Sequence, residues 1–115
     1  MEINNRVKAD AYFLRPPEKL NCAQSILKSF QSIFNISEEE IASFNNLGGG
    51  DAEDGICGAL FAAKYLLKEH KEELENEFKE ELGNITCKEL KKEKKNCFKC
   101  VSCADKLVES FLRNE

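Results

Sequence analysis

Cys22, Cys57, Cys87, Cys97, Cys100 and Cys103 are the residues of this 115-residue chain whose type and spacing point to chemistry. Thiols at this density hold a metal or an iron–sulfur cluster, exchange with a disulfide, or pack as small hydrophobes. Cys22, Cys87 and Cys97 follow Asn21, Thr86 and Asn96, which are good helix caps. Each is therefore expected in a first helical turn, where free N–H groups and the helix dipole favour a thiolate. The thiolate is both the nucleophile and the metal ligand, so these positions suit redox and metal roles alike.

Cys97-Phe98-Lys99-Cys100 is a CxxC motif at an expected helix start, compatible with a reversible dithiol. No βαβ pattern precedes it, which separates it from thioredoxin. With Cys103 the spacing becomes C-x2-C-x2-C, the opening of a bacterial ferredoxin run, but the next ligand position is Leu107. If Cys22, Cys57 and Cys87 lie nearby in the fold, four sulfurs are available for one iron–sulfur cluster or, less readily, a zinc ion. A pure dithiol needs no cofactor.

The remaining candidates are weaker. The run from Gly48 to Gly55, GGGDAEDG, places backbone N–H groups where an anion could be cradled, but no Gly-Lys-Ser/Thr follows, and a flexible connector explains it better. Gly55, Gly58 and Ala59 flank Cys57 and allow close approach of a cofactor or of another helix. His70, the only histidine, sits between Glu69 and Lys71 and reads as a surface residue, leaving no Cys–His nucleophilic pair. Mixed charges from Lys68 to Lys95 read as a solvated face, with Glu75 and Lys79 a favourable i,i+4 pair.

The elements that must position these residues are helical throughout, with no sustained period of two. A first helix is expected at about Ile3–Phe13, ended by Pro16 and Pro17. A second runs from Cys22 to about Phe34, with Ala23, Ile26, Leu27, Phe30 and Ile33 on one side. Ser37 and Glu40 form a capping box for a short helix. The longest stretch, about Gly55–Leu82, is apolar nearly all round in its first half, the pattern of a helix buried in the middle of a bundle near 55–67. It contains no Gly or Pro to break it near His70. Gly83 suits its C-terminal stop, and Thr86 with Glu89 starts a short helix at Cys87. The last helix spans Cys97 to about Arg113; its core face carries Cys97, Val101, Ala104, Val108 and Leu112, with Cys100 on the flank and Cys103 rotated away. The expectation is an all-α, single-domain bundle of about five to six helices.

The chain has a formal net charge of −4, which argues against sequence-independent nucleic-acid binding. The segment after Met1 lacks an apolar region and does not read as a signal peptide. The near-apolar run Ile56–Leu67 contains Lys64 and is too short to span a bilayer. A cytoplasmic location is expected, where thiols are normally reduced. Candidate partners are a redox protein and, through the Phe-rich faces, a second copy forming a homodimer; nucleic acid and membrane are not expected.

Asn21-Cys22-Ala23-Gln24, the Gly-rich loop into Gly55-Ile56-Cys57-Gly58-Ala59-Leu60, Phe78 through Leu82-Gly83 to Cys87, and Cys97 with Val101 and Ala104 form an ordered set. That set resembles the C_GCAxxG_C_C family of redox-active proteins, and Ala11-Tyr12-Phe13 resembles its lead-in. The resemblance implies a small helical domain with four marked cysteines, here Cys22, Cys57, Cys87 and Cys97, and redox or metal chemistry. The chain departs from the family string Gly-Cys-Ala-x-x-Gly, because Cys57-Gly58-Ala59 is followed by Ala62, and Cys100 and Cys103 are additions. The expected function is one thiol-redox or metal site built by cysteines from several helices, with Cys100 a fifth participant. The alternative is a non-catalytic structural or interaction module whose cysteines merely pack.

Overall fold

A computed structural model of the chain describes residues 7–13, 20–45, 56–92 and 97–113. These residues are all-α: α1 (Ala9–Tyr12), α2 (Cys22–Ser29), α3 (Gln31–Phe34), α4 (Glu38–Ser43), α5 (Gly58–Leu66), a 3-10 turn (Lys68–His70), α6 (Lys71–Leu82), α7 (Cys87–Lys92) and α8 (Cys97–Arg113). α1 and α3 are single turns. Only isolated bridges, Phe13 with Leu20 and Ile56 with Thr86, depart from the helical pattern among the described residues.

Local signals set most helix starts. Asn21 caps α2 through its side chain, which accepts from the Gln24 N–H at 2.8 Å, while the Gln24 side chain accepts from the Asn21 N–H at 3.2 Å. Ser37 and Glu40 make the same reciprocal box at α4. Gly83 ends α6 at φ 89°, a left-handed value that glycine adopts without a Cβ clash. The Glu89 N–H donates to Thr86 Oγ1 at 3.3 Å at the start of α7.

Three helix boundaries differ from the sequence expectation. The described part of the first helix is only Ala9–Tyr12; residues 1–6 and the proline pair lie outside the described residues. The second helix breaks at Phe30, whose backbone leaves helical geometry at φ −104°, ψ 13° while its ring is fully buried. The long stretch also divides, at Leu67 (φ −114°, ψ 63°), without Gly or Pro. Tertiary packing overrides propensity there. Leu67 is buried, and the bend lets α6 turn back along α5 and pack its Leu74, Phe78 and Leu82 inward against α8. The His70 ring lies 5.2 Å from that of Phe111, and His70 Nδ1 is 3.1 Å from Glu73 Oε1, so His70 is half-buried at the bend instead of fully solvated.

α5 is the middle of the bundle, as its all-round apolar pattern requires. It packs against α2, α8 and α6. Gly58, Ala59, Leu60, Ala62 and Ala63 are all buried, and the small ones let neighbouring backbones approach closely.

Candidate functional site

Cys57, the N-cap residue of α5, is the centre of the candidate site. Its position is set by backbone: the Cys57 N–H donates to Ile85 O at 2.8 Å, within the antiparallel bridge of Ile56 with Thr86. That bridge brings the backbone leading into Cys57 beside the backbone leading into Cys87. Cys22 occupies the first position of α2, and Cys100 lies in the first turn of α8. Since α5 packs on both α2 and α8, the three cysteines come from three mutually packed helices.

The Cys57 side chain is hydrogen-bonded to both Cys100 and Cys22. All three are buried, at 5%, 3% and 3% exposure, and none is in a disulfide. The Cys57 thiol is pushed up to about 12, first by its hydrogen bond to Cys100, then by burial and by negative charge on Cys100; hydrogen bonds from Cys22 and from the Leu60 N–H act in the opposite direction. Cys57 is thus held protonated at neutral pH and poorly suited to make a first nucleophilic attack.

Cys22 is fixed by more than its own helix. Asn21 Nδ2 donates to Phe44 O at 2.9 Å and to Asn45 O at 3.1 Å, and Gln24 Nε2 donates to Ile41 O at 3.1 Å. These bonds tie the start of α2 to the end of α4, on either side of Cys22. The Asn21–Gln24 motif is therefore a clamp on that cysteine as well as a cap.

Cys103 is a correction. It is buried, not rotated away, because α6 covers a second face of α8. It does not join the cluster; its thiol is pushed up to about 11 by burial and by the Glu81 carboxylate, with Lys106 opposing. Cys100, expected on the flank of the core face, is fully inward. Cys87 and Cys97 start α7 and α8 as expected, with Cys97 one turn ahead of Cys100, but their side chains lie outside those described. The Gly48–Gly55 run, Gly55 included, also lies outside the described residues. Gly58 and Ala59 are buried at the start of α5.

Among the described residues, no three His, Cys, Asp or Glu are arranged to hold an ion. Two of the four expected ligands, Cys87 and Cys97, are outside that test.

Sequence reasoning missed Asp105. It is buried in α8, accepts from the Ala9 N–H at 2.7 Å and from Ser29 Oγ at 3.3 Å, and so ties α1 and α2 to α8. The available signal was a carboxylate set between Ala104 and Leu107 in an otherwise apolar stripe.

A helical bundle that brings cysteines from three helices into hydrogen-bonded contact defines a class of small thiol protein. The chain belongs to the C_GCAxxG_C_C family, described as "Putative redox-active protein (C_GCAxxG_C_C)", whose model matches residues 20–111. All six cysteines fall within the match, while Ala11–Phe13 precedes it. No curated protein and no solved structure matches the chain. Among the described residues no helix is long and apolar enough to cross a membrane.

Proposed function

We propose that this protein is a thiol–disulfide redox protein whose reactive set is built around Cys57, with Cys22 and Cys100 as its two exchange partners. The observation that supports it best is the hydrogen bonding of one cysteine to two others from different helices. Packing alone requires no such sulfur-to-sulfur pairing. Cys87 and Cys97 complete the set at the adjoining helix starts.

The oxidant is a disulfide, RSSR. The thiolate of Cys22 or Cys100 attacks one of its sulfurs, forming a mixed disulfide and releasing RS⁻. Cys57 then attacks the protein sulfur of that mixed disulfide, its proton passing to the departing second RS⁻. The protein gains one disulfide and loses two electrons and two protons; RSSR becomes two RSH. With all three sulfurs at 5% exposure or less, exchange waits on local opening of the packed helices. The physiological disulfide would belong to a partner protein in a reducing, cytoplasmic setting.

The experiment is equilibration of the reduced protein in glutathione buffers of graded potential, followed by peptide mapping. One intramolecular disulfide joining Cys57 to Cys22 or Cys100, with a single two-electron midpoint, is the expected result. A Cys57 that stays a free thiol across the whole range would refute the reading and leave the packed-module alternative.

A second reading has its own support. The Ile56–Thr86 bridge places the chain into Cys57 beside the chain into Cys87, so Cys22, Cys57, Cys87 and Cys97 remain a candidate set for an iron–sulfur cluster or zinc. Such a metal would supply electron transfer or structural cross-linking and would hold its ligands as thiolates. Iron and zinc analysis of anaerobically purified protein separates the two: stoichiometric metal lost in Cys57→Ser supports this reading, and a colourless, metal-free protein supports dithiol exchange.

A further inference from the structure

A cavity of about 600 Å³ opens beside the cysteine cluster, between α5, the 3-10 turn, α6 and the segment before α7. Its volume is in the range of small-molecule sites. Ile56, Phe61 and Ile85 give it apolar walls, and Lys64, Lys68 and Lys71 bring three ammonium groups to it. Among the described residues Glu75 is the one carboxylate lining it, in a protein whose net charge is −4. A cationic cavity in an acidic protein runs against the overall charge and concentrates anions locally.

The cations are held in place. Lys64 Nζ is 2.9 Å from Glu75 Oε1, an ion pair that joins α5 to α6 across the cavity and engages that carboxylate. Lys68 Nζ sits 5.1 Å from the centre of the Tyr65 ring. The Tyr65 hydroxyl in turn donates to Glu40 Oε2 at 2.8 Å, which fixes the ring on which Lys68 rests. Lys71 has no carboxylate partner among the described residues. Lys68 and Lys71 are exposed, as expected of a solvated face, and with Lys64 they border this cavity.

We propose that this cavity binds a small organic anion: a phosphate, sulfonate or carboxylate group among Lys64, Lys68 and Lys71, carried on a flat apolar body lying against Phe61, Ile56 and Ile85. None of the described cysteines lines the cavity, so the site stands independently of the thiol chemistry. It is nevertheless coupled to it in space, since Ile56 immediately precedes Cys57 and the Cys57 N–H is bonded to Ile85 O. A bound ligand would press on the bridge that positions Cys57.

Phenyl phosphate is the probe, followed in reduced protein by backbone amide shifts in NMR, with inorganic phosphate and benzyl alcohol as half-ligands. Saturable shifts concentrated at Tyr65, Ile85 and Thr86 are expected, with both half-ligands at least about tenfold weaker, as follows from losing charge-assisted bonds or the apolar contact. The double variant K68Q/K71Q, altered only at exposed side chains, should weaken phenyl phosphate by at least about tenfold while its remaining spectrum is unchanged. Cys57→Ser should bind as tightly as the parent, which separates failure of the redox reading from failure of this one. Shifts that never saturate, inorganic phosphate binding as tightly as phenyl phosphate, or an unweakened double variant would each overturn the proposal.

Discussion

Cys57 and Cys103 are both buried thiols pushed well above the usual cysteine range, yet their surroundings differ in kind. Around Cys103 the causes are burial and the charge of Glu81 on the neighbouring helix. Around Cys57 the leading cause is another cysteine, and a third cysteine bonds to it from the other side. Burial makes a thiol inert; only a second sulfur within reach makes it half of a disulfide. The same shift in acidity thus marks a packed residue in one region and a candidate redox centre in the other.

That contrast is tested most severely by oxidation. A disulfide from Cys57 to Cys22 or Cys100 closes a loop of several tens of residues and should raise unfolding stability by about 4 kcal/mol in the chain-entropy account. Denaturant melts of oxidised and reduced protein measure it. In Cys57→Ser the gain should vanish, and in Cys103→Ser it should persist in full. Equal behaviour of the two variants would erase the distinction between the regions.

Alkaline pH gives the next largest effect. The Cys57 thiol titrates near 9 when unfolded and at about 12 when folded. Between these values the unfolded chain has released a proton that the folded chain keeps, so stability is intact below pH 9 and falls as pH rises toward 12. The loss is a few kcal/mol. Cys103 acts in the same direction over the narrower interval to about 11. In reduced protein Cys57→Ala should flatten the stability profile above pH 9 more than Cys103→Ala does.

At neutral pH, Asp105→Ala should cost about 1–3 kcal/mol, because the Ala9 N–H is left buried without its acceptor, while the Ser29 hydroxyl keeps its bond to Val7 O. Thiol reactivity at Cys57 should change little in that variant, separating support of the bundle from the sulfur cluster. The smallest effect is expected for Cys103→Ser in reduced protein, about 1 kcal/mol or less by thermal melting. A larger loss there would mean that the packing of α6 on α8 depends on this sulfur.

Much of the scaffold was legible in the sequence, and for a definite reason. The cap at Asn21, the capping box at Ser37, the stop at Gly83 and the starts at Cys87 and Cys97 all appear where the residue types place them. Each depends on groups within about four residues of one another. The central place of α5 was equally legible, since a helix apolar on all sides has nowhere to go but the interior. The family pattern likewise marked Cys22 and Cys57, which the fold brings together.

The breaks at Phe30 and Leu67, the inward turn of Cys100, the burial of Cys103 and the tie made by Asp105 were decided by tertiary structure. None has a local cause. Helical periodicity assigns a residue to a face, but which neighbour covers that face depends on how the helices cross and how far each is rotated. α8 is covered on one side by α2 and α5 and on another by α6, so Cys100 meets Cys57 while Cys103 meets Glu81. The thiols and their helices were written in the chain; which sulfurs would touch was settled only when those helices packed.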